Sequence, residues 1–180
     1  MHRRSVLAGL ALLPLAATAT TATAQGAGRF RFDSIDGGQY DMAAWRGRPV
    51  LVVNTASLCG YTGQYDDLQA LHDAYGARGL VVLAVPSNDF SQELGSEEEV
   101  AEFCEVNFNL TLPMTTITSV RGRGAHPFYT WLRETEGFVP RWNFNKVLLD
   151  GEGRVVESYG SNANPMGRRI RNRIEALLPA

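Results

Sequence analysis

Val50-Leu51-Val52-Val53-Asn54-Thr55-Ala56-Ser57-Leu58-Cys59-Gly60 begins as an unbroken apolar run and stops at a cysteine followed by glycine. The run reads as a buried strand. The polar segment from Gln64 to about Ala77 reads as a helix, with Tyr65, Leu68, His72 and Tyr75 recurring at three- and four-residue steps and Gly79 closing it. The cysteine therefore sits where a strand gives way to a helix. A sulfur near the positive end of a helix dipole favours thiolate over thiol. Thiolate is the reactive form, so this turn points to redox or nucleophilic chemistry.

Working outward, Leu80–Val85 is a second continuous apolar strand, ended by Pro86. Continuous rather than alternating apolarity implies burial on both faces of a sheet. Ser96 and Glu99 form a capping box that opens a helix carrying Val100, Phe103 and Cys104 on one face. Met114–Val120 is rich in β-formers. His126 to about Arg133 reads as a short helix with Pro127 in its first turn. Lys146–Leu149 and Arg154–Tyr159 read as strands joined at Asp150-Gly151-Glu152-Gly153, a hairpin signal. Pro165–Leu178 reads as a last helix with Met166, Ile170, Ile174 and Leu177/Leu178 as its apolar stripe. Before all of these, Phe30–Tyr40 alternates around Asp36-Gly37-Gly38 as a small hairpin. This element order predicts an α/β fold, a central sheet with helices on both faces.

The 180 residues, 44% of them hydrophobic, suit one domain with a sizeable core. A formal charge of −2 with no long run of one sign suggests no nucleic-acid partner. The first 24 residues stand apart. A basic Met1–Arg4, an apolar Val6–Ala17 and an Ala22-Thr23-Ala24 cleavage pattern read as an export signal removed after Ala24. The paired Arg3-Arg4 suggests the twin-arginine route, with general secretion or an uncleaved membrane anchor as alternatives. Without the two arginines the charge becomes about −4. Residues 25–180 are expected to form the single mature domain, with no stable membrane insertion. Export permits disulfides, yet Cys59 and Cys104 are the only cysteines and there is no C-x-x-C. A structural bridge, a redox pair and two independent thiols all stay open. The three histidines are well separated and offer no metal-ligand spacing.

Three segments carry a family resemblance. Asn54–Thr62, Leu83–Gly95 and Trp142-Asn143-Phe144-Asn145-Lys146 resemble, in order and spacing, the three signatures of glutathione peroxidases. The resemblance covers nearly the whole mature chain. It implies a thioredoxin fold, with a central mixed sheet flanked by helices and an N-terminal β-hairpin, and a peroxidase that reduces hydrogen peroxide or organic hydroperoxides. By resemblance Gln92, Trp142 and Asn143 complete a catalytic tetrad with Cys59. The chemistry agrees with those residue types. A thiolate attacks one oxygen of the O–O bond, the sulfur becomes a sulfenic acid, and the leaving oxygen takes a proton. Such a site needs hydrogen-bond donors for developing negative charge; two amides and an indole N–H supply them, and no metal or organic cofactor is called for.

Relatives of the cysteine type commonly carry a second, resolving cysteine in the region of Cys104. Here Cys104 falls one position earlier than in the best-understood pattern and shares an apolar face with Val100 and Phe103. A resolving cysteine and a core thiol both remain open, and the first requires its helix to unwind. Asp89 and Ser87 stand where many members have glutamine and cysteine. The stretch between Arg133 and Trp142 is short, where tetrameric relatives have an insertion; this implies a monomer with an open site able to take bulky lipid hydroperoxides. Cysteine rather than selenocysteine at position 59 fits a thioredoxin-like or small-thiol reductant in the periplasm. The alternative function is a peroxide sensor or relay that passes oxidation to a partner protein.

Overall fold

The computed structural model describes residues 26–178; the export-signal reading of residues 1–24 lies outside them. β1 (Arg31–Asp33) and β2 (Gln39–Asp41) pair antiparallel as the expected N-terminal hairpin. The main sheet contains β3 (Val50–Thr55), β4 (Val81–Pro86), β5 (Lys146–Leu149) and β6 (Val155–Tyr159) in the order β4-β3-β5-β6. β3 pairs parallel with β4 and antiparallel with β5, and β5 pairs antiparallel with β6. The sheet is mixed. Every residue of β3 and β4 is buried, as their unbroken apolarity requires.

Among the described residues four helices cover the sheet: α1 (Gln64–Tyr75), α2 (Glu97–Phe108), α3 (Pro127–Glu136) and α4 (Arg168–Glu175). Leu51 and Val53 of β3 face a core shared with Tyr65, Leu68 and Leu71 of α1, Val100 and Cys104 of α2, and Ile170 and Ile174 of α4. Val50 and Val52 point the other way, into a core with Phe30 and Phe32 of the hairpin region and Phe128 and Leu132 of α3. His126 joins hairpin and helix. Its Nε2 donates to the Arg31 carbonyl (2.8 Å), its Nδ1 accepts from the Phe128 N–H (3.2 Å), and its ring stacks on Phe32 at 4.0 Å. That pattern is the neutral imidazole, and burial pushes the His126 pKa down.

Some elements depart from the sequence reading for local reasons. Met114–Val120 is not a strand. It makes single bridges, Met114 to Ala84 and Thr115 to Ser34, while Thr115 and Thr118 turn their hydroxyls onto the Thr116 carbonyl, both at 2.8 Å. Such side-chain bonds compete with a regular ladder. On α1 the buried stripe is Tyr65, Leu68, Leu71 and Tyr75, with His72 only half-buried. α1 ends at Tyr75 and tightens into a 3-10 turn, Gly76–Arg78, before Gly79 at φ 113°. α4 starts at Arg168 rather than Pro165, because Asn164–Gly167 closes a turn in which the Gly167 N–H donates to the Asn164 carbonyl. The capping box of α2 is also displaced. Ser96 Oγ accepts from Glu99 N–H, but the Glu99 carboxylate reaches Gly95 N–H instead of Ser96.

The β5–β6 turn locks onto the segment leading into β3. Gly47 N–H donates to the Gly151 carbonyl (2.8 Å), and a Cβ on Gly151 would lie 2.9 Å from the Gly47 carbonyl carbon. Gly151→Ala is expected to destabilise the fold by about 1–3 kcal/mol, the usual cost of overpacking, read as a lower urea midpoint with an unchanged m-value.

Candidate active site

The sheet pairings bring three loops to one edge. Parallel pairing sets Thr55 beside Pro86, so the loops that leave β3 and β4 emerge together. Antiparallel pairing sets Val53 beside Lys146, so the loop entering β5 arrives at the same edge. The first loop carries Cys59, the second Gln92, the third Trp142 and Asn143. The carboxyl ends of parallel strands are where open α/β sheets place their sites.

Cys59 is buried, 8% exposed. Its Sγ accepts from the Tyr61 N–H at 3.4 Å, its own N–H donates to Thr62 Oγ1 at 3.0 Å, and the Thr62 hydroxyl donates back to the Cys59 carbonyl. The helix does not start at the sulfur. α1 begins at Gln64, and the intervening residues form consecutive tight turns, Thr62 N–H to the Cys59 carbonyl and Gln64 N–H to the Tyr61 carbonyl. The donor that faces the thiol is thus a turn N–H rather than the first turn of the helix.

Gln92 and Asn143 are in direct contact: Asn143 Nδ2 donates to Gln92 Oε1 at 2.9 Å. With that oxygen occupied, the Gln92 amide nitrogen is the free end. Asn143 is fully buried. Each loop carries a strained residue next to its amide, Ser91 at φ 56° before Gln92 and Phe144 at φ 59° after Asn143. A bulky residue in the left-handed region is unusual and persists where surroundings over-determine it. For Phe144 those surroundings are complete burial, its N–H on the Asn54 carbonyl, and its ring packed edge-on against Tyr65 at 5.4 Å. Trp142 is 41% exposed and packs on Phe90 at 5.4 Å, so it is not core. The Leu58 N–H donates to the Gln92 carbonyl at 2.9 Å, which ties the cysteine turn to the Gln92 loop. The four predicted residues therefore lie on three loops that are hydrogen-bonded to one another.

Asp89 has a structural task. Its carboxylate accepts from Val120 N–H (2.6 Å), Arg121 N–H (3.0 Å) and Ser119 Oγ. Ser87 is fully buried, its N–H on the Thr55 carbonyl. Neither displaces Gln92. Sequence reasoning passed over a supporting layer. Asn54 Nδ2 holds the Trp142 carbonyl (3.0 Å) and Ser161 Oγ the Asn143 carbonyl (2.6 Å). Lys146, fully buried, donates from Nζ to the Phe144 carbonyl and to Gln64 Oε1, each at 2.7 Å. One signal was available: Lys146 is the only lysine of the chain and sits in an apolar run. Cys104 is 2% exposed on the inner face of α2. Burial pushes its thiol up to about 11, which keeps it protonated. Both cysteines are free thiols.

This α/β sheet with its thioredoxin-like loops has many structural counterparts. The apo crystal structure of Trgpx aligns with a TM-score of 0.68 and 30% identity over 86% of this chain and 96% of its own. A secreted Mycobacterium tuberculosis disulfide oxidoreductase aligns at 0.58 with 14% identity over 83% of this chain and 96% of its own, a likeness of fold alone. Residues 29–133 match the family described as glutathione peroxidase. The glutathione peroxidase-like peroxiredoxin gpx1 of Schizosaccharomyces pombe is 39% identical over 79% of this chain and 92% of its own length. The hydroperoxy fatty acid reductase gpx1 of Synechocystis is 39% identical over 76% and 87%. The chain belongs to the glutathione peroxidase family, and it is a peroxidase of thioredoxin fold.

Lys146 makes the stability of this site sensitive to pH. Burial pushes its pKa down to about 7 from an ordinary 10.5, a drop the Asp67 carboxylate offsets only in part. Between those values the unfolded chain binds more protons than the folded one, so stability rises with pH. Between about pH 7 and 9, the unfolding free energy of the native protein relative to Lys146→Met is expected to climb by up to about 1.4 kcal/mol per pH unit. Urea titrations of both proteins across that range measure the difference in slope.

Proposed function

We propose that Cys59 is the peroxidatic residue and that Gln92, Trp142 and Asn143 serve its reaction as hydrogen-bond donors. The observation that carries this reading is a pair of hydrogen bonds, Asn143 Nδ2 to Gln92 Oε1 and the Leu58 N–H to the Gln92 backbone carbonyl, which tie the loops bearing both amides to the cysteine turn. The Cys59 thiolate attacks the terminal oxygen of a hydroperoxide. The O–O bond breaks, the sulfur becomes a sulfenic acid, and the departing alkoxide takes a proton to leave as an alcohol, or as water from hydrogen peroxide. The free amide end of Gln92 and the Trp142 indole N–H stabilise the charge that develops on that oxygen. Leu58, Tyr61, Val139 and Trp142, four of the five exposed large apolar side chains among the described residues, come from this region of the chain. Exposed apolar side chains on the loops that carry Cys59 and Trp142 support organic hydroperoxides as substrates beside hydrogen peroxide.

In the resolving step Cys104 attacks the sulfenic sulfur, a disulfide forms and water leaves. A thioredoxin-like or small-thiol donor then reduces the disulfide by exchange. Cys104 is buried and held protonated, so its attack goes through local unwinding of α2, whose C-terminal end is capped by Asn109 at φ 48°. The N-terminal export pattern supports a periplasmic protein released from its signal, with a reductant of the same compartment, and the short stretch between Arg133 and Trp142 supports a monomer. Cell fractionation and N-terminal sequencing are expected to find a mature chain starting at Gln25.

Cys59→Ser is expected to abolish turnover. Gln92→Ala is expected to lower kcat/KM for peroxide by about 10²- to 10³-fold, the usual loss on removing one donor to a developing oxyanion, and Asn143→Ala, which releases the Gln92 amide it holds, by about 10²-fold. One equivalent of peroxide, followed by intact mass and thiol counting, tests the resolver. A loss of about 2 Da with both thiols gone supports the Cys59–Cys104 bridge. A gain of about 16 Da with Cys104 still titratable overturns it.

A further inference from the structure

Glu93 is the only buried acid among the described residues, 7% exposed on the loop between β4 and α2. No ion pair holds it among the described residues. The one buried cation, Lys146, is engaged with Gln64 and Phe144. Burying a carboxyl group without a counter-charge is costly, and burial pushes its pKa up. Its hydrogen bonds show where that cost is offset. Glu93 Oε1 accepts from the Leu94 N–H at 2.9 Å, a local contact, and from the Ser57 N–H at 2.9 Å, a contact across 36 residues of chain. A side chain serving its own loop alone would need only the first bond.

The second bond reaches the cysteine turn two residues before Cys59. The next N–H along, that of Leu58, donates to the carbonyl of Gln92. Two consecutive donors of the cysteine turn are therefore held by two consecutive residues of the other loop, one by side chain and one by backbone. Gln92 in turn holds Asn143. We propose that Glu93 is a positioning residue for the peroxidatic turn: through the Ser57 N–H its carboxyl oxygen fixes where the Cys59 sulfur stands relative to the Gln92 and Asn143 amides. This inference rests on the reading of Cys59 as the peroxidatic residue.

What matters in this role is the reach of an acceptor oxygen, not a negative charge. Reach and charge are separable by substitution. Glu93→Gln keeps an acceptor at the same distance and removes the charge. Glu93→Asp keeps the charge and withdraws the acceptor by one methylene. Glu93→Ala removes both. The measurement is the second-order rate constant for oxidation of Cys59 by hydrogen peroxide, per folded molecule, at a temperature where circular dichroism shows each variant folded. The pH profile of Cys59 alkylation by iodoacetamide is recorded alongside it.

Glu93→Gln is expected to stay within about threefold of wild type, while Glu93→Asp and Glu93→Ala fall by about 10- to 100-fold, the scale of an ångström-sized displacement of a reacting group. Their alkylation profiles are expected to shift with the rate. A purely structural role would lower the melting temperatures and leave rate and alkylation profile where they were; that result overturns the proposal. So does the reverse order, Asp active and Gln inactive, which would make the charge the operative feature. Should Glu93→Ala not fold, the Gln and Asp pair decides alone. Turnover surviving in Cys59→Ser would remove the peroxidatic reading itself. Turnover lost in Cys59→Ser but unchanged in Glu93→Asp would remove only the role of Glu93.

Discussion

The pairing of β3 on both sides is the constraint from which the site follows. One neighbour runs parallel to it and the other antiparallel. A parallel neighbour delivers the loop after it to the same edge as the loop after β3; an antiparallel neighbour delivers the loop before it. Residues some thirty and eighty positions beyond Cys59 thereby become partners of its turn. A wholly parallel or wholly antiparallel arrangement of these three strands would send one of the loops to the opposite edge. Burial enforces the arrangement, because β3 and β4 carry apolar side chains toward two separate cores.

The edge so formed is polar, strained and buried at once. Ser91 and Phe144 hold left-handed conformations next to the amides. Asn54 Oδ1 and Asn143 Oδ1 are buried with no partner among the described residues. Lys146 and Glu93 are buried titratable groups of this edge, one bonded to the Phe144 carbonyl and the other to the Ser57 N–H. One is an amine that donates and the other a carboxyl that accepts, and they do not pair. Each is bonded to a backbone group of a different loop, so each braces a different segment. Catalysis by preorganised donors asks for this rigidity, since donors that must reorient lose their advantage.

Much of this was legible in the chain itself. Val50–Thr55 and Leu80–Pro86 announce buried strands by unbroken apolarity, and Trp142-Asn143 announces a polar site beside a strand. Other parts were not legible for identifiable reasons. Met114–Val120 has strand composition, but its hydrogen-bonding partners change from residue to residue and its threonines bond locally. His72 lies on the predicted stripe of α1, yet Leu71 takes the buried position, because a helix stripe is wide enough to admit either. Glu93 and Lys146 look like ordinary charged residues in sequence. Their roles come from acceptors and donors 36 and 82 residues away.

The sequence by itself determined the fold class, the family and the four candidate residues that the fold brings onto neighbouring loops, because strand periodicity and motif spacing are local properties written in consecutive residues. Tertiary structure alone decided how those residues are held: that a turn N–H faces the Cys59 thiol, that Asn143 engages Gln92 through its amide, and that Cys104 is sealed in the core of α2. Each is a matter of distance and burial between segments far apart in the chain. Hydrogen bonds act over about 3 Å of space, a separation that no spacing along the sequence encodes.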